Sequence, residues 1–244
     1  MTNVSKNSEL DWSMKRGRTR IFMKAENMTD REIVEQFAKL DTPSVSDAMD
    51  SIGKPCGLLG LRPINYGVKV CGRAFTVHYT PCGEVKGTVG DFLDDVAPGD
   101  VVVIDNGGRE YCTVWGDLMT LVSVRNKIAG TIIDGVCRDV PVIRKTGYPV
   151  FSKGHYMVTG KDRVFVDYIN KPVAVSGVQV KPGDLIMADD SGVICVAWEA
   201  AQKALETAEN IAVKEAGIER AIEKGESLKD ARSQAGYHNL QTKK

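Results

Sequence analysis

The sequence predicts a layered α/β fold with helices at both ends of the chain and strands between them. Residues 29–53 contain two short segments with the capping signals and apolar spacing of helices. A stretch rich in Ala, Glu and Lys, from Trp198 to Gly225, predicts a long helix near the other end. The intervening residues form short apolar runs bounded by Gly and Pro, which are typical of strands. This order of elements favours a layered α/β or α+β sandwich.

Capping signals predict where the first two helices start. Thr29 and Glu32 form a capping-box pattern, and apolar residues then repeat at helical spacing through the stretch TDREIVEQFAKL. In the following stretch, TPSVSDAMDSIG, we expect Thr42 as the N-cap, Pro43 at the first helical position and Gly53 as the stop.

Strand-forming stretches occupy the middle of the chain. The run GVKVCGRAFTVHYT, at residues 67–80, predicts the first long strand. Two later stretches, APGDVVVIDNGG and KPGDLIMADDSG, share one design: a Pro-Gly turn, a short buried strand, then an acid (Asp105 or Asp189) and a glycine turn. Between these copies we expect a helix in GDLMTLVSVRNK and a strand in IAGTIIDG, and the strands VAVSGVQV and VICVA flank the second copy.

Length and charge favour one domain that acts on a small molecule. The chain has 244 residues, and we expect a single domain at 28–236 between an N-terminal arm, 1–27, and a polar tail, 237–244. Lys and Arg together number 32, as do Asp and Glu, so the net charge is +0. This balance argues against nucleic acid or an anionic membrane as a partner. We expect a small-molecule substrate and association with further copies of the chain.

The N-terminus and the cysteines predict a cytoplasmic protein. The first residues lack the apolar stretch of a secretory signal, and no stretch reaches the roughly 20 apolar residues of a membrane helix. The six cysteines are far apart and form no Cys-x-x-Cys pair. We therefore expect reduced thiols, as is usual in the cytoplasm.

Common cofactor and hydrolase motifs do not occur in the sequence. No two glycines stand two positions apart, so no G-x-G-x-x-G exists, and Walker A, H-E-x-x-H and G-x-S-x-G patterns are also absent. Of the histidines, His78 alternates with apolar residues and is expected to be a hydrogen-bonded core or edge residue, whereas His155, in a loop, is a weaker candidate for substrate contact.

An arginine and an aspartate stand together after the apolar strand IAGTIIDG. Asp139 could anchor a hard divalent ion, because Mg²⁺ usually takes one or two carboxylates and keeps water and substrate at its other positions. Arg138 offers a planar fork that suits a carboxylate or an oxo group. In a turn, both side chains can reach one site. The alternative interpretation is a surface ion pair or a helix cap.

The segment before the next helix offers a second set of candidates. Gly116, Asp117, Leu118 and Met119 stand at a helix start, where backbone N–H groups are free to bind an anion. Asp117 is then an acid in the first turn, and simple complementarity to the helix dipole explains it equally well.

These residues carry a resemblance to a known family. The stretch WGDLMTLVSVRNKIAGTIIDGVCRDV resembles the core signature of the RraA-like family, which includes the class II pyruvate aldolases acting on 4-hydroxy-4-methyl-2-oxoglutarate and 4-carboxy-4-hydroxy-2-oxoadipate. The resemblance continues from TPSVSDAMD through GRAFTV and APGDVVVIDNGG to GYPVF, KPGDLIMADDSGVICV and the last long helix.

The resemblance implies a fold, an assembly and a metal site. The fold would be a swivelling β/β/α sandwich, as in RraA-like and phosphohistidine domains, assembled as a homotrimer or homohexamer with active sites between subunits. Asp139 would coordinate Mg²⁺ or Mn²⁺, and Arg138 would hold the oxygens of pyruvate. Asp117 would orient metal-bound water. Glu215 of a neighbouring subunit would join the site as a catalytic residue.

The resemblance also implies where the substrate binds and what happens to it. Backbone amides around Gly116, Asp117, Leu118 and Met119 would receive the pyruvate carboxylate. The enzyme would be a metal-dependent lyase that cleaves a C–C bond of a 4-hydroxy-2-oxo acid through a pyruvate enolate, and oxaloacetate decarboxylation would be a side activity. The stretch HYTPCGEVKGTVGDFLDD and Met157 depart from the family pattern, so the reaction type is better defined than the substrate.

Two other functions stay open at this level. Since the family contains regulators that bind a ribonuclease, the chain could be a non-catalytic binding protein, although such regulators tend to lack the complete Arg-Asp pair. A class I aldolase would instead form a Schiff base on a lysine such as Lys153 or Lys86.

Overall fold

The computed structural model describes residues 28–54, 56–84 and 86–236. The predicted arm, 1–27, and the predicted tail, 237–244, lie outside the described residues. The helices of the described chain are α1 (Asp30–Phe37), α2 (Thr42–Ser51), α3 (Asp117–Arg125), α4 (Val140–Thr146), α5 (Trp198–Glu223) and α6 (Leu228–Gln234). A short 3-10 helix spans Asp91–Asp95.

Ten strands complete the described chain, and eight of them form one mixed sheet in the order β1-β5-β4-β3-β2-β9-β10, with β6 paired to β2. Strands β2, β3, β4 and β5 run parallel to one another, so their carboxyl ends meet at one edge. Their bounds are β1 (Arg62–Pro63), β2 (Val70–Pro81), β3 (Val101–Thr113), β4 (Gly130–Cys137), β5 (Val150–His155), β6 (Val164–Ile169), β7 (Val173–Val175), β8 (Val178–Val180), β9 (Leu185–Asp189) and β10 (Gly192–Val196).

Apolar side chains pack on both faces of this sheet. Consecutive residues of β4 belong to different layers: Ile133 packs with Ile143 of α4, whereas Ile132 packs with Val173 and Val175 of the β7–β8 hairpin. A third apolar cluster joins α1, α2 and α5 to β9 and β10. The predicted mixed α/β architecture, with helices near both ends of the chain, is confirmed.

The cap of α2 differs from the prediction by one residue. Thr29 and Glu32 form the predicted capping box of α1. For α2, however, the N-cap is Asp41, whose side chain accepts a hydrogen bond from the Ser44 backbone N–H. Thr42 instead donates both its backbone N–H and its hydroxyl to Asp189 at the end of β9. The role of Thr42 therefore depends on a carboxylate far away along the chain, and the residues around Thr42 do not reveal this partner.

The two Pro-Gly-Asp turns are confirmed, but the strand after the first is longer than predicted. Gly99 and Gly183 both have positive φ, at 89° and 81°, as the turns require. Strand β3 does not end at the predicted glycine turn. Gly107 and Gly108, at φ 58° and 69°, form an irregularity in the ladder with β4, and the strand continues to Thr113. This extension brings the carboxyl end of β3 beside that of β4.

No helix in the described part of the chain is long and apolar enough to cross a membrane.

Candidate active site

Arg138 and Asp139 directly follow β4, which is buried along its whole length. Asp139 adopts the left-handed conformation, with φ 57° and ψ 37°, and serves as the N-cap residue of α4. Aspartate tolerates this conformation better than most residues. The backbone therefore turns sharply after Arg138, and the two consecutive side chains do not diverge as they would in a strand.

Both side chains converge on Gly116, which immediately precedes α3. A Cβ built on Gly116 would lie 2.7 Å from Oδ2 of Asp139 and 3.3 Å from Nε of Arg138. Nε of Arg138 is 3.4 Å from Oδ2 of Asp139. The two side chains therefore converge, as predicted for a turn, and both lie against the backbone of Gly116.

The amino end of α3 already binds two carboxylates of the protein. The backbone N–H of Asp117 donates to Oδ2 of Asp139 at 3.1 Å. The backbone N–H of Leu118 donates to Oδ1 of Asp117 at 2.8 Å. Both contacts place negative charge at the positive end of the helix dipole, where it is stabilised.

The backbone of Arg138 is held by a hydrogen bond, whereas its side chain is partly exposed. Its backbone N–H donates to the Trp115 carbonyl oxygen at 3.0 Å, which ties the end of β4 to the segment between β3 and α3. Its side chain is 40% exposed and that of Asp139 is 35% exposed. The backbone therefore holds both residues in place, and both side chains are accessible to a small ligand.

The donor set fits a hard divalent ion held through one carboxylate. Within residues 28–54, 56–84 and 86–236, no group of three or more His, Cys, Asp or Glu side chains could hold a metal. Mg²⁺ and Mn²⁺ do not require such a cage, because they favour oxygen ligands and Mg²⁺ usually keeps several waters. Asp139, with one oxygen engaged by the protein and a partly exposed side chain, suits this mode of binding.

Glu215 lies on another face of the same chain. It belongs to α5, which packs against α1 and α2. Burial, together with the nearby carboxylates of Asp47 and Asp41, raises the pKa of Glu215. Its charged neighbours thus belong to α2 and the residue before it, so any role of Glu215 beside Arg138 requires a second copy of the chain.

Cys137, directly before Arg138, is a buried thiol. Its side chain is fully inaccessible, and Sγ lies 3.9 Å from Oγ of Ser152. Burial raises its pKa to about 11. At neutral pH it is therefore a protonated core residue and not a nucleophile.

A second group of ionisable side chains crosses the parallel strands on the face opposite α4. His78, Asp105 and Asp134 occupy aligned positions on β2, β3 and β4. Nδ1 of His78 lies 2.9 Å from Oδ2 of Asp105, and Nζ of Lys153 lies 3.0 Å from Oδ1 of Asp134. The sequence prediction missed this row, although both acids end apolar runs, with Gly107 two positions after Asp105 and Gly135 directly after Asp134. His78 is hydrogen-bonded, as predicted.

The two carboxylates of this row fasten the β7–β8 hairpin to the sheet. Asp105 accepts from the backbone N–H of Ala174 at 3.3 Å, and Asp134 accepts from that of Ser176 at 3.1 Å. Asp134 has a side chain that is only 8% exposed. Its charge therefore depends on Lys153 and on the hairpin backbone for compensation.

Substituting Lys153 by Met is expected to lower the free energy of unfolding by about 2–3 kcal/mol, because it leaves the Asp134 carboxylate buried without its cation. Urea unfolding followed by circular dichroism measures this change. The control is Lys161→Met, at an exposed position, which is expected to change stability by less than about 0.5 kcal/mol. Equal stability of both variants would show that the Asp134–Lys153 pair does not support the fold.

Several known proteins are similar to this chain in sequence and fold. The family model described as RraA-like, Aldolase/RraA, matches residues 42–195, which is more than half of the chain. Protein DlpA of Legionella pneumophila is 39% identical over 216 residues, covering 87% of this chain but only 35% of DlpA. The chain thus spans about a third of the length of that relative.

Two further relatives are similar along most of their length. A protein of Halalkalibacterium halodurans, provisionally named 4-hydroxy-4-methyl-2-oxoglutarate aldolase, is 29% identical over 78% of this chain and 89% of its own. The crystal structure of Streptomyces coelicolor RraAS2, described as an unusual member of the RNase ES inhibitor RraA protein family, has a TM-score of 0.70 at 29% identity. That alignment covers 75% of this chain and 93% of RraAS2. The fold implied by the sequence resemblance is thereby confirmed.

Proposed function

Because the chain belongs to the RraA-like family, we propose that it is a divalent-metal-dependent lyase that cleaves a C–C bond of a 4-hydroxy-2-oxo acid and releases pyruvate. One observation carries the proposal: Arg138 and Asp139 converge on Gly116 at the amino end of α3. A cation, a carboxylate and a helix start within contact of one another are suited to binding a 2-oxo acid beside a metal ion.

Asp139 would hold Mg²⁺ or Mn²⁺. The bound ion would supply Lewis-acid stabilisation of the negative charge that develops on the 2-oxo oxygen. Arg138, through its exposed guanidinium, would donate hydrogen bonds to the same oxygen or to the adjacent carboxylate. Since both groups are fixed by the backbone on either side, little reorganisation is needed as charge develops.

The start of α3 would bind the substrate carboxylate with the backbone amides around Gly116 to Met119. In the structure, the Leu118 N–H is occupied by the carboxylate of Asp117. A substrate carboxylate that takes this N–H would release Asp117 toward the reacting groups. Asp117 would then accept, through water, the proton of the C4 hydroxyl.

The bond changes balance without a redox partner. As the C4 hydroxyl loses its proton, C4 becomes a carbonyl carbon and the C3–C4 bond breaks. The bonding electron pair passes into the enolate of pyruvate, which takes up a proton at C3. Loss of CO₂ from oxaloacetate yields the same enolate, so oxaloacetate decarboxylation is the expected side activity.

We further propose that the working enzyme is a homotrimer or homohexamer in which Glu215 of a neighbouring copy joins the site. Apolar side chains on α3 support an interface next to the site, since Leu118 is 72% exposed and Leu121 is 50% exposed. Burial and the nearby carboxylates of Asp47 and Asp41 already raise the pKa of Glu215 above its usual range, which favours a role in proton transfer.

A non-catalytic regulator that binds a ribonuclease is the alternative, and the similarity to RraAS2 favours it. The lyase is preferred because Asp117, Arg138 and Asp139 are all present and lie together. A Schiff-base mechanism has less support, because Lys153 is paired with Asp134 and Lys86 with Asp162, and a paired ammonium is a poor nucleophile.

The test is pyruvate release from 4-hydroxy-4-methyl-2-oxoglutarate and from oxaloacetate, followed with lactate dehydrogenase and NADH. We expect turnover with Mg²⁺ or Mn²⁺, loss of turnover with excess EDTA, and recovery when metal is added back. Turnover that resists EDTA and is trapped by borohydride would instead identify a lysine Schiff base. No turnover, together with inhibition of a purified ribonuclease E-type enzyme, would identify a regulator.

A further inference from the structure

We propose that Gly116 is a positioning residue for the metal ligand: its missing side chain leaves the space in which the Asp139 carboxylate rests against the first turn of α3. The inference rests on the proposed function for the presence of a metal at Asp139. It assigns to Gly116 a role that depends on the absence of Cβ and is separate from any hydrogen bond made by its backbone.

The space above Gly116 is filled by the two functional side chains. A Cβ at this position would lie 2.7 Å from Oδ2 of Asp139, below any normal contact, and 3.3 Å and 3.5 Å from Nε and Cγ of Arg138. Any larger residue must therefore displace the carboxylate, the guanidinium or both.

The requirement for glycine comes from this contact and not from backbone conformation. Gly116 has φ −157° and ψ −160°, an extended conformation that other residues adopt. In contrast, Gly107 and Gly108 have positive φ and would be strained with any side chain. Substituting alanine at 116 thus tests the contact with little backbone strain.

The same contact determines which oxygen of Asp139 faces a ligand. Oδ2 accepts the Asp117 N–H and lies beside Nε of Arg138, whereas Oδ1 takes neither contact. Oδ1 is the oxygen left for the ion, and Oδ2 orients it. Supporting hydrogen bonds of this kind typically change metal affinity by about tenfold to a hundredfold when they are lost.

Asp139 has little freedom to move away from an added methyl group. Its backbone is held in the left-handed conformation between β4 and α4. The backbone N–H of Val142 also donates to its carbonyl oxygen at 2.9 Å. The carboxylate of a Gly116→Ala variant must therefore rotate about its side-chain bonds and leave the Asp117 N–H.

The experiment is a titration of the metal-free protein with Mn²⁺, in which free Mn²⁺ is quantified by electron paramagnetic resonance. We expect Gly116→Ala to raise the Kd for Mn²⁺ about tenfold or more. The control is Gly154→Ala at the end of β5, where an added Cβ would meet only Val136, at 4.0 Å; its Kd is expected to match the wild type. Equal Kd values for Gly116→Ala and wild type would overturn the proposal.

A double-mutant cycle in thermal stability distinguishes this collision from a general folding defect. If the added methyl group collides with Asp139, then Gly116→Ala should lower Tm in the wild-type background and lower it much less in the Asp139→Ala background. Equal losses in both backgrounds would overturn the proposal. Failure of the proposed function is recognised separately: wild-type protein that binds Mn²⁺ but releases no pyruvate leaves the role of Gly116 intact, whereas wild-type protein that binds no Mn²⁺ refutes both.

Discussion

Substituting Asp139 by Ala is expected to lower kcat/KM for metal-dependent pyruvate release by at least about a thousandfold, because the carboxylate proposed to anchor the ion is lost. Mn²⁺ affinity should fall in parallel. The fold is expected to persist, since the side chain is partly exposed and no apolar packing depends on it. Coupled pyruvate assays and the Mn²⁺ titration measure the two effects.

Asp162→Ala is the matched control for this substitution. Asp162 is also an aspartate with positive φ, at 61°, and it forms a surface pair with Lys86. It should retain wild-type Mn²⁺ affinity and turnover. If Asp139→Ala kept metal-dependent turnover within about tenfold of the wild type, Asp139 would not be the anchor and the ion would have to bind elsewhere.

Substituting Arg138 by Lys is expected to reduce kcat/KM by about a hundredfold or more. Lysine keeps the charge but loses the planar fork that can bind two oxygens of a 2-oxo acid at once. Because Arg138 is proposed to stabilise the developing enolate, the larger part of the loss should appear in kcat. Initial rates over a range of substrate concentrations separate the two parameters.

The control for Arg138 is Arg125→Lys at the end of α3, where the side chain is 69% exposed. Its kinetics should match the wild type. A loss in Arg138→Lys confined to KM, with kcat unchanged, would mean that Arg138 binds the substrate uniformly and does not act on the transition state.

Much of the fold could be predicted from local signals. The capping box of α1, both Pro-Gly-Asp turns and the alternating apolar residues of β2 are short-range patterns, and each produced the expected element. The hydrogen-bond partner of Thr42 and the length of β3 could not be predicted in the same way. The first is Asp189, 147 residues from Thr42, and the second depends on pairing with β4 across an irregular ladder.

The candidate site likewise has parts that could be predicted from the sequence and parts that could not. Arg138 and Asp139 are adjacent in sequence, so their suitability for binding a metal ion and an anion could be recognised there. Their convergence could be expected only if they lay in a turn. Their contact with Gly116 could not be predicted, because it depends on which segment of the fold faces them. The row from His78 to Lys153 was missed because its members are brought together by strand register and are far apart along the chain.

Asp139 and Arg138 are proposed to stabilise a pyruvate enolate with the help of a divalent ion. The most direct measurement is exchange of the pyruvate methyl protons in D₂O, followed by proton NMR with Mg²⁺, because it needs no knowledge of the rest of the substrate. We expect loss of the methyl signal that depends on Mg²⁺, stops with EDTA and is absent in Asp139→Ala. Exchange at the protein-free rate in Mg²⁺-loaded wild-type protein would show that the site does not stabilise a pyruvate enolate.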